Sequence, residues 1–136
     1  MTPVRLAGMV LLLGFSISCG SSSSQNLTGA WQFTVSSAVL ADTTYVGNAT
    51  LAQNGKNVTG NVTFSNNPCA TTGPITGTVN GLAVNLQVTE GSQIVIFNGT
   101  INSTFTTLTG NYTAPAGGCL DGDYGSWSAA LTSGGT

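Results

Sequence analysis

The strongest constraint on this chain is an alternation. From residue 27 onward, apolar and polar side chains change places with period two in eight short segments. That is the period of a β-strand with one apolar face, because successive side chains point to opposite sides of a sheet. Leu27, Gly29, Trp31, Phe33 and Val35 alternate with Thr28, Ala30, Gln32 and Thr34. The same pattern runs through Tyr45–Leu51, Val58–Phe64, Ile75–Val79, Leu82–Val88, Val95–Ile101, Leu108–Tyr112 and Gly125–Leu131. Val46 weakens the contrast in the second segment, and Ile94 and Ile96 make the start of the sixth apolar on both faces. Asn54-Gly55 and Asn80-Gly81 read as hairpin dipeptides supplying the positive φ of a type I′ turn. Gly73-Pro74 opens a strand where proline is tolerated. The expected fold class is all-β: a small antiparallel up-and-down β-barrel of about eight strands, occupying residues 27–136 as one domain, whose closure removes exposed edges.

A shorter pattern inside the strands orients this sheet. Apolar, Thr or Asn, Gly, any residue, apolar recurs from positions 27, 58, 75, 97 and 108, a spacing too irregular for a solenoid. The glycine falls on the apolar face. There it suits a concave, sharply coiled wall, or a place where something bulky crosses the sheet. A membrane-spanning barrel shares the period but turns its apolar face to lipid. Short strands, an almost uncharged polar face and short loops argue for the apolar face inside. Trp31, Phe33, Phe64, Phe97, Tyr112 and Trp127 are then expected to point inward. They would line a cavity for a small hydrophobic ligand or fill the core. The filled core is favoured, because an eight-stranded interior is just wide enough for side chains.

Charge is nearly missing. Two basic and four acidic residues make the chain 4% charged, with no histidine, against about 25% in ordinary proteins. The six are Arg5, Lys56, Asp42, Glu90, Asp121 and Asp123. No cluster of histidines and carboxylates is available for a transition metal, and no Ser-His-Asp or Cys-His arrangement can form. One lysine and one arginine cannot neutralise a row of phosphates, so no nucleic-acid partner is expected. The chain is expected to be no enzyme and to carry no cofactor and no metal. Asp121-Gly122-Asp123 offers two carboxylates to Ca²⁺ without the rest of a Ca²⁺ loop, so a polar turn is the simpler reading. Seven Asn-x-Ser/Thr triplets read as Asn and Thr sharing the wet face of strands.

Residues 1–18 read as a secretory signal peptide, with Arg5 before the apolar run Leu6–Phe15, too short to span a membrane. Ser16-Ile17-Ser18-Cys19 resembles the lipobox of bacterial lipoproteins, with Ser16 where that family prefers Leu. The resemblance implies cleavage before Cys19, lipidation of Cys19 and a membrane partner through that anchor. Residues 19–26 then form a Ser-rich tether. Gly20 rather than Asp resembles the pattern sorted to the outer membrane, so the expected location is the bacterial cell envelope. Cys69 and Cys119 are then the two cysteines left, and in an oxidising compartment they can pair in one way only.

Leu27-Thr28-Gly29-Ala30-Trp31 resembles the G-x-W start of the lipocalin and avidin barrels, the calycin type, and Ser37 matches a later position of the avidin first strand. The resemblance implies a fold neighbourhood and no activity. Phe33 stands where avidins have a biotin-binding Asn, the last strand lacks the Arg that covers the motif Trp, and the tryptophan-rich strands over biotin are missing. The functional expectation is a lipid-anchored binding module for a small hydrophobic ligand or an envelope protein. The alternatives are a structural or adhesive surface protein with a filled core, and a periplasmic hydrolase inhibitor.

Overall fold

The computed structural model describes residues 26–134. The signal segment 1–18, Cys19 and the tether as far as residue 25 lie outside the described residues. Eight strands run in order: β1 Gly29–Ser37, β2 Thr44–Asn54, β3 Asn57–Phe64, β4 Thr72–Asn80, β5 Ala83–Glu90, β6 Gln93–Ile101, β7 Thr107–Thr113 and β8 Tyr124–Gly134. Each pairs antiparallel with the next, and β8 pairs back onto β1 from Gly29↔Gly134 to Ser37↔Gly125, so the sheet is a closed meander barrel. One register shift, between Ala30 and Trp31, interrupts the closing seam.

The alternation translates directly into an inside and an outside. Trp31, Phe33, Val35, Val62, Ile75, Leu86, Phe97, Leu108, Tyr112 and Trp127 are all at least 97% buried. The Thr, Asn, Ser and Gln side chains between them coat the outer wall. The sidedness is the reverse of a membrane-spanning barrel.

The inward glycines explain how so narrow a barrel closes. A Cβ at Gly60, Gly77, Gly99 or Gly110 would collide with the backbone carbonyl oxygen of Thr50, Asn85, Thr109 or Asn98 on the adjoining strand. The strands coil too tightly there for any side chain on the concave face. Bulky neighbours occupy the room: Gly47 lies between Phe33 and Phe64 in the pairing, and Gly110 is paired with Trp127, whose ring lies over Gly99.

The hairpin turns sit one residue later than the dipeptide reading expects. Asn54 pairs with Asn57 and Asn80 with Ala83, so the asparagines belong to the ladder. The two-residue loops are Gly55-Lys56 and Gly81-Leu82, with φ of 65° and 63° at the glycines. Gly91-Ser92 repeats the arrangement between Glu90 and Gln93, with φ 66°. Glycine first, at positive φ, is the type II′ requirement, whereas type I′ needs positive φ at both central residues. Leu82 therefore leaves the inner face on which the alternation set it and is 47% exposed in its turn. Pro74 faces only β3, because β4–β5 pairing begins at Ile75.

The barrel has two unlike ends. At the near end, where the chain enters, Leu27 is fully buried and its carbonyl accepts the Trp31 Nε1–H at 2.9 Å. The turns at Gly55 and Gly81 and the loop 102–106 complete that end. The far end carries the loops 38–43, 65–71 and 114–123 and the turn at Gly91. A disulfide between Cys69 and Cys119, Cα atoms 5.8 Å apart, ties the β3–β4 loop to the β7–β8 loop across it.

Candidate functional site

The aromatic residues expected to face inward form the centre of the barrel. Phe33 and Trp127 stack at 5.4 Å between ring centroids. Phe97 meets Trp127 edge-on at 5.4 Å, lies over Tyr112 at 5.6 Å and points edge-on to Phe33 at 6.4 Å. Offset and edge-to-face contacts of this kind add about 0.5–1.5 kcal/mol per pair beyond burial. Trp31 sits below this cluster toward the near end, and Phe64 toward the far end. The interior space beside Phe64, Tyr45 and Glu90 amounts to about 10 Å³, roughly what one water molecule needs and far below the ~300 Å³ of a small-molecule site. The interior is filled. Of the two readings of these inward side chains, this space fits the filled core favoured from the sequence: the room beside the inward glycines is taken by Phe64 at Gly47, Leu51 at Gly60, Leu86 at Gly77 and Trp127 at Gly99.

The far end holds a polar centre that the motifs do not announce. Asp123, 2% exposed, accepts from Ser37 Oγ at 2.5 Å and from Tyr112 Oη at 2.7 Å. One buried carboxylate thereby ties the end of β1, strand β7 and the β7–β8 loop together. Glu90, also 2% exposed, accepts from the Asn67 amide. Burial raises the Glu90 carboxyl above the ordinary glutamate range; the Asn67 hydrogen bond lowers it and the nearby Asp123 charge raises it further. Burial, the hydrogen bond to Asp123 and its charge likewise push the Tyr112 phenol up, and burial with both carboxylates raises Tyr45. Gln93 is buried opposite Glu90, with neither amide atom hydrogen-bonded.

Asp121 and Asp123 do not act together. Asp121 is exposed and its Oδ1 accepts from the Gly117 N–H at 2.9 Å, while Asp123 turns inward. The polar-turn reading of this stretch thus holds for Asp121 only. Among the described residues, no three His, Cys, Asp or Glu side chains gather where they could hold a metal ion.

Ser37, at the end of β1, has a local task here. Its hydroxyl donates to Asp123 and accepts from the backbone N–H groups of Val39 and Leu40 at 3.1 and 2.9 Å. The β1–β2 loop is closed further by Ser37 N–H to Thr43 O at 3.1 Å and Ala38 N–H to Tyr124 O at 2.7 Å. Val39, Leu40 and Tyr124 nevertheless stand out in solvent.

Comparison with protein-family models and with curated proteins finds no match.

Proposed function

We propose that this is a non-enzymatic, lipid-anchored envelope protein that works as an interaction module through its outer surface, meeting an envelope partner rather than holding a small hydrophobic ligand. The filled interior carries the reading: the aromatic centre is packed, the space beside Phe64, Tyr45 and Glu90 is about 10 Å³, and specificity then falls to the walls and ends of the barrel. Lipid attachment at Cys19 and outer-membrane sorting rest on the Ser16-Ile17-Ser18-Cys19 pattern and on Gly20. The anchor lies upstream of β1, so the near end would adjoin the membrane and the disulfide-tied far end would point away from it. Several acyl chains supply a firm hold where one is marginal. A structural or adhesive role shares the filled core and is favoured by the uncharged Thr/Asn wall. The hydrolase-inhibitor alternative has only the shared barrel architecture behind it.

Replacing Cys19 with serine tests the anchor. Cys19→Ser is expected to move the protein from the membrane to the soluble fraction and to end incorporation of labelled palmitate. Unchanged membrane partition would overturn the anchor. Native mass spectrometry of protein from its own source is expected to show no retained lipophile; one seated in the barrel would overturn the surface reading.

A further inference from the structure

All four acidic residues sit at the far end: Asp42 in the β1–β2 loop, Glu90 at the end of β5, and Asp121 and Asp123 in the β7–β8 loop. The one basic residue among the described residues, Lys56, lies in a turn at the opposite end. Among the described residues, four of the five exposed large hydrophobic side chains are at the far end too: Val39, Leu40, Ile94 and Tyr124, each about half exposed, with Leu82 the exception. A chain this poor in charge has gathered its acids and its bare apolar side chains in one place.

These side chains form a connected surface. Ile96, Thr113 and Tyr124 are cross-strand neighbours on the outer wall, and Ile94 precedes Ile96 on the same face. Directly opposite side chains in such a ladder lie within contact reach. Ala38 adjoins Tyr124 through its backbone hydrogen bond and leads into Val39 and Leu40. Between Tyr124, Ala38 and Asn111 an open groove of about 470 Å³ runs over the bare backbone of Gly125.

The loop that carries Val39 and Leu40 is held in place. The Ser37 hydroxyl donates its hydrogen bond to Asp123, which leaves the Ser37 oxygen aimed to accept two loop N–H groups. Thr43 N–H to Leu40 O at 3.2 Å closes the turn. Val39 and Leu40 are thus presented side by side to water on a loop held by hydrogen bonds, and a loop ordered before binding loses less freedom on binding.

We infer that the far end, from the 38–42 loop across Tyr124 and its groove, is a docking surface for a protein segment that presents an apolar side chain flanked by Lys or Arg. The apolar residue fills the groove beside Tyr124, and the cations meet Asp42 and Asp121, both exposed. The sign of charge selects this occupant. An anionic lipid surface or an acidic protein is repelled by the same two carboxylates, and a second copy would bring acid against acid. The inference deepens the proposed interaction module and rests on it, but not on the lipid anchor.

The test titrates the full mature chain, isotope-labelled, with a short amphipathic Leu/Lys peptide and with its Leu/Glu counterpart, reading amide shifts. The Leu/Lys peptide is expected to perturb residues 38–43 and 122–126, and the Leu/Glu peptide not to. Tyr124→Ser is expected to weaken binding about tenfold, and Asp42→Asn with Asp121→Asn about three- to tenfold, an effect that high salt reproduces. Asp123→Asn keeps the side-chain shape but leaves one acceptor oxygen for the two hydroxyl donors, Ser37 and Tyr112, so one of the two bonds is lost or reversed. It is expected to speed amide exchange at Val39 and Leu40 and lower affinity, a readout that a merely structural role in the barrel would not confine to this loop. Equal binding of both peptides, or shifts on the β2–β4 wall or around Lys56, overturns the site while leaving an interaction module standing. Shifts nowhere overturn both. Sedimentation showing a dimer that Tyr124→Ser dissociates gives the surface to a second copy and overturns the cationic partner.

Discussion

Removing Phe97 is the sharpest test of the filled barrel. Its ring touches Phe33, Tyr112 and Trp127 and is 1% exposed. Phe97→Ala opens a void on the order of 100 Å³, for which the cavity alone costs about 2.4 kcal/mol at ~24 cal/mol per Å³. The lost transfer of the ring adds about 2 kcal/mol, giving about 4–5 kcal/mol in total, at the upper end of measured Phe→Ala losses. For a domain of this size that lowers Tm by roughly 20 °C. An apolar void of this kind stays dry and accepts benzene. Thermal and urea melts with and without benzene form the assay. The variant is expected to recover about 1.4 kcal/mol when benzene reaches ~10 times its Kd, and the parent chain nothing. Two results refute the reasoning: stabilisation of the parent by benzene, which means a hollow interior, or a loss below about 1 kcal/mol for Phe97→Ala.

Three further outcomes follow from other parts of the barrel. Cys69 and Cys119 are 50 residues apart, so on the chain-entropy account Cys69→Ala with Cys119→Ala costs about 4 kcal/mol in urea unfolding; a loss under about 1 kcal/mol refutes that account. Burial raises Glu90 in the folded state, so the fold binds this proton more tightly than the unfolded chain. Its contribution is fully present below the ordinary glutamate value of about 4.3 and is lost as pH rises through the raised value. Glu90→Gln keeps an acceptor for Asn67 and is expected to flatten the fall in Tm between acid and neutral pH, leaving a variant at least as stable as the parent at pH 7. Gly110→Ala drives a methyl into the Asn98 carbonyl and the Gly99 backbone; calorimetry is expected to show a loss above about 3 kcal/mol, whereas Gly55, with nothing near its Cβ site, carries only the cost of its positive φ.

The strands and their sidedness were legible because each apolar residue occupies a fixed phase, and that phase survives the curvature of the wall. The turns were less so. Asn-Gly can occupy both central positions of a hairpin or straddle its start, and the dipeptide does not say which; here Asn54 and Asn80 stay in the ladder. The polar centre was missed because acids in a charge-poor chain look like surface residues. A signal was nevertheless present. Glu90 is in step with Val84, Leu86 and Val88, Gln93 with Val95 and Phe97, Asp123 with Gly125 and Trp127, and Ser37 with Phe33 and Val35. Carrying each inward series to the end of its strand, and one step beyond at Asp123, finds the inward polar residues of the far end. Tertiary proximity stays invisible in the sequence: Ser37 and Asp123 are 86 residues apart and meet because β8 returns to β1.

That return has a consequence for how the chain is made. β1 is the first strand to emerge and β8, which it needs, is the last, with Gly29 waiting for Gly134. Until then β1 offers one free edge and the growing meander another, and neither carries the lysines that usually discourage strangers. Non-local closure is also the slow kind of folding step. Crowding of many nascent copies therefore endangers the half-finished sheet rather than the finished barrel. A chain stopped before Tyr124 should cling to other chains where the complete one stays solitary.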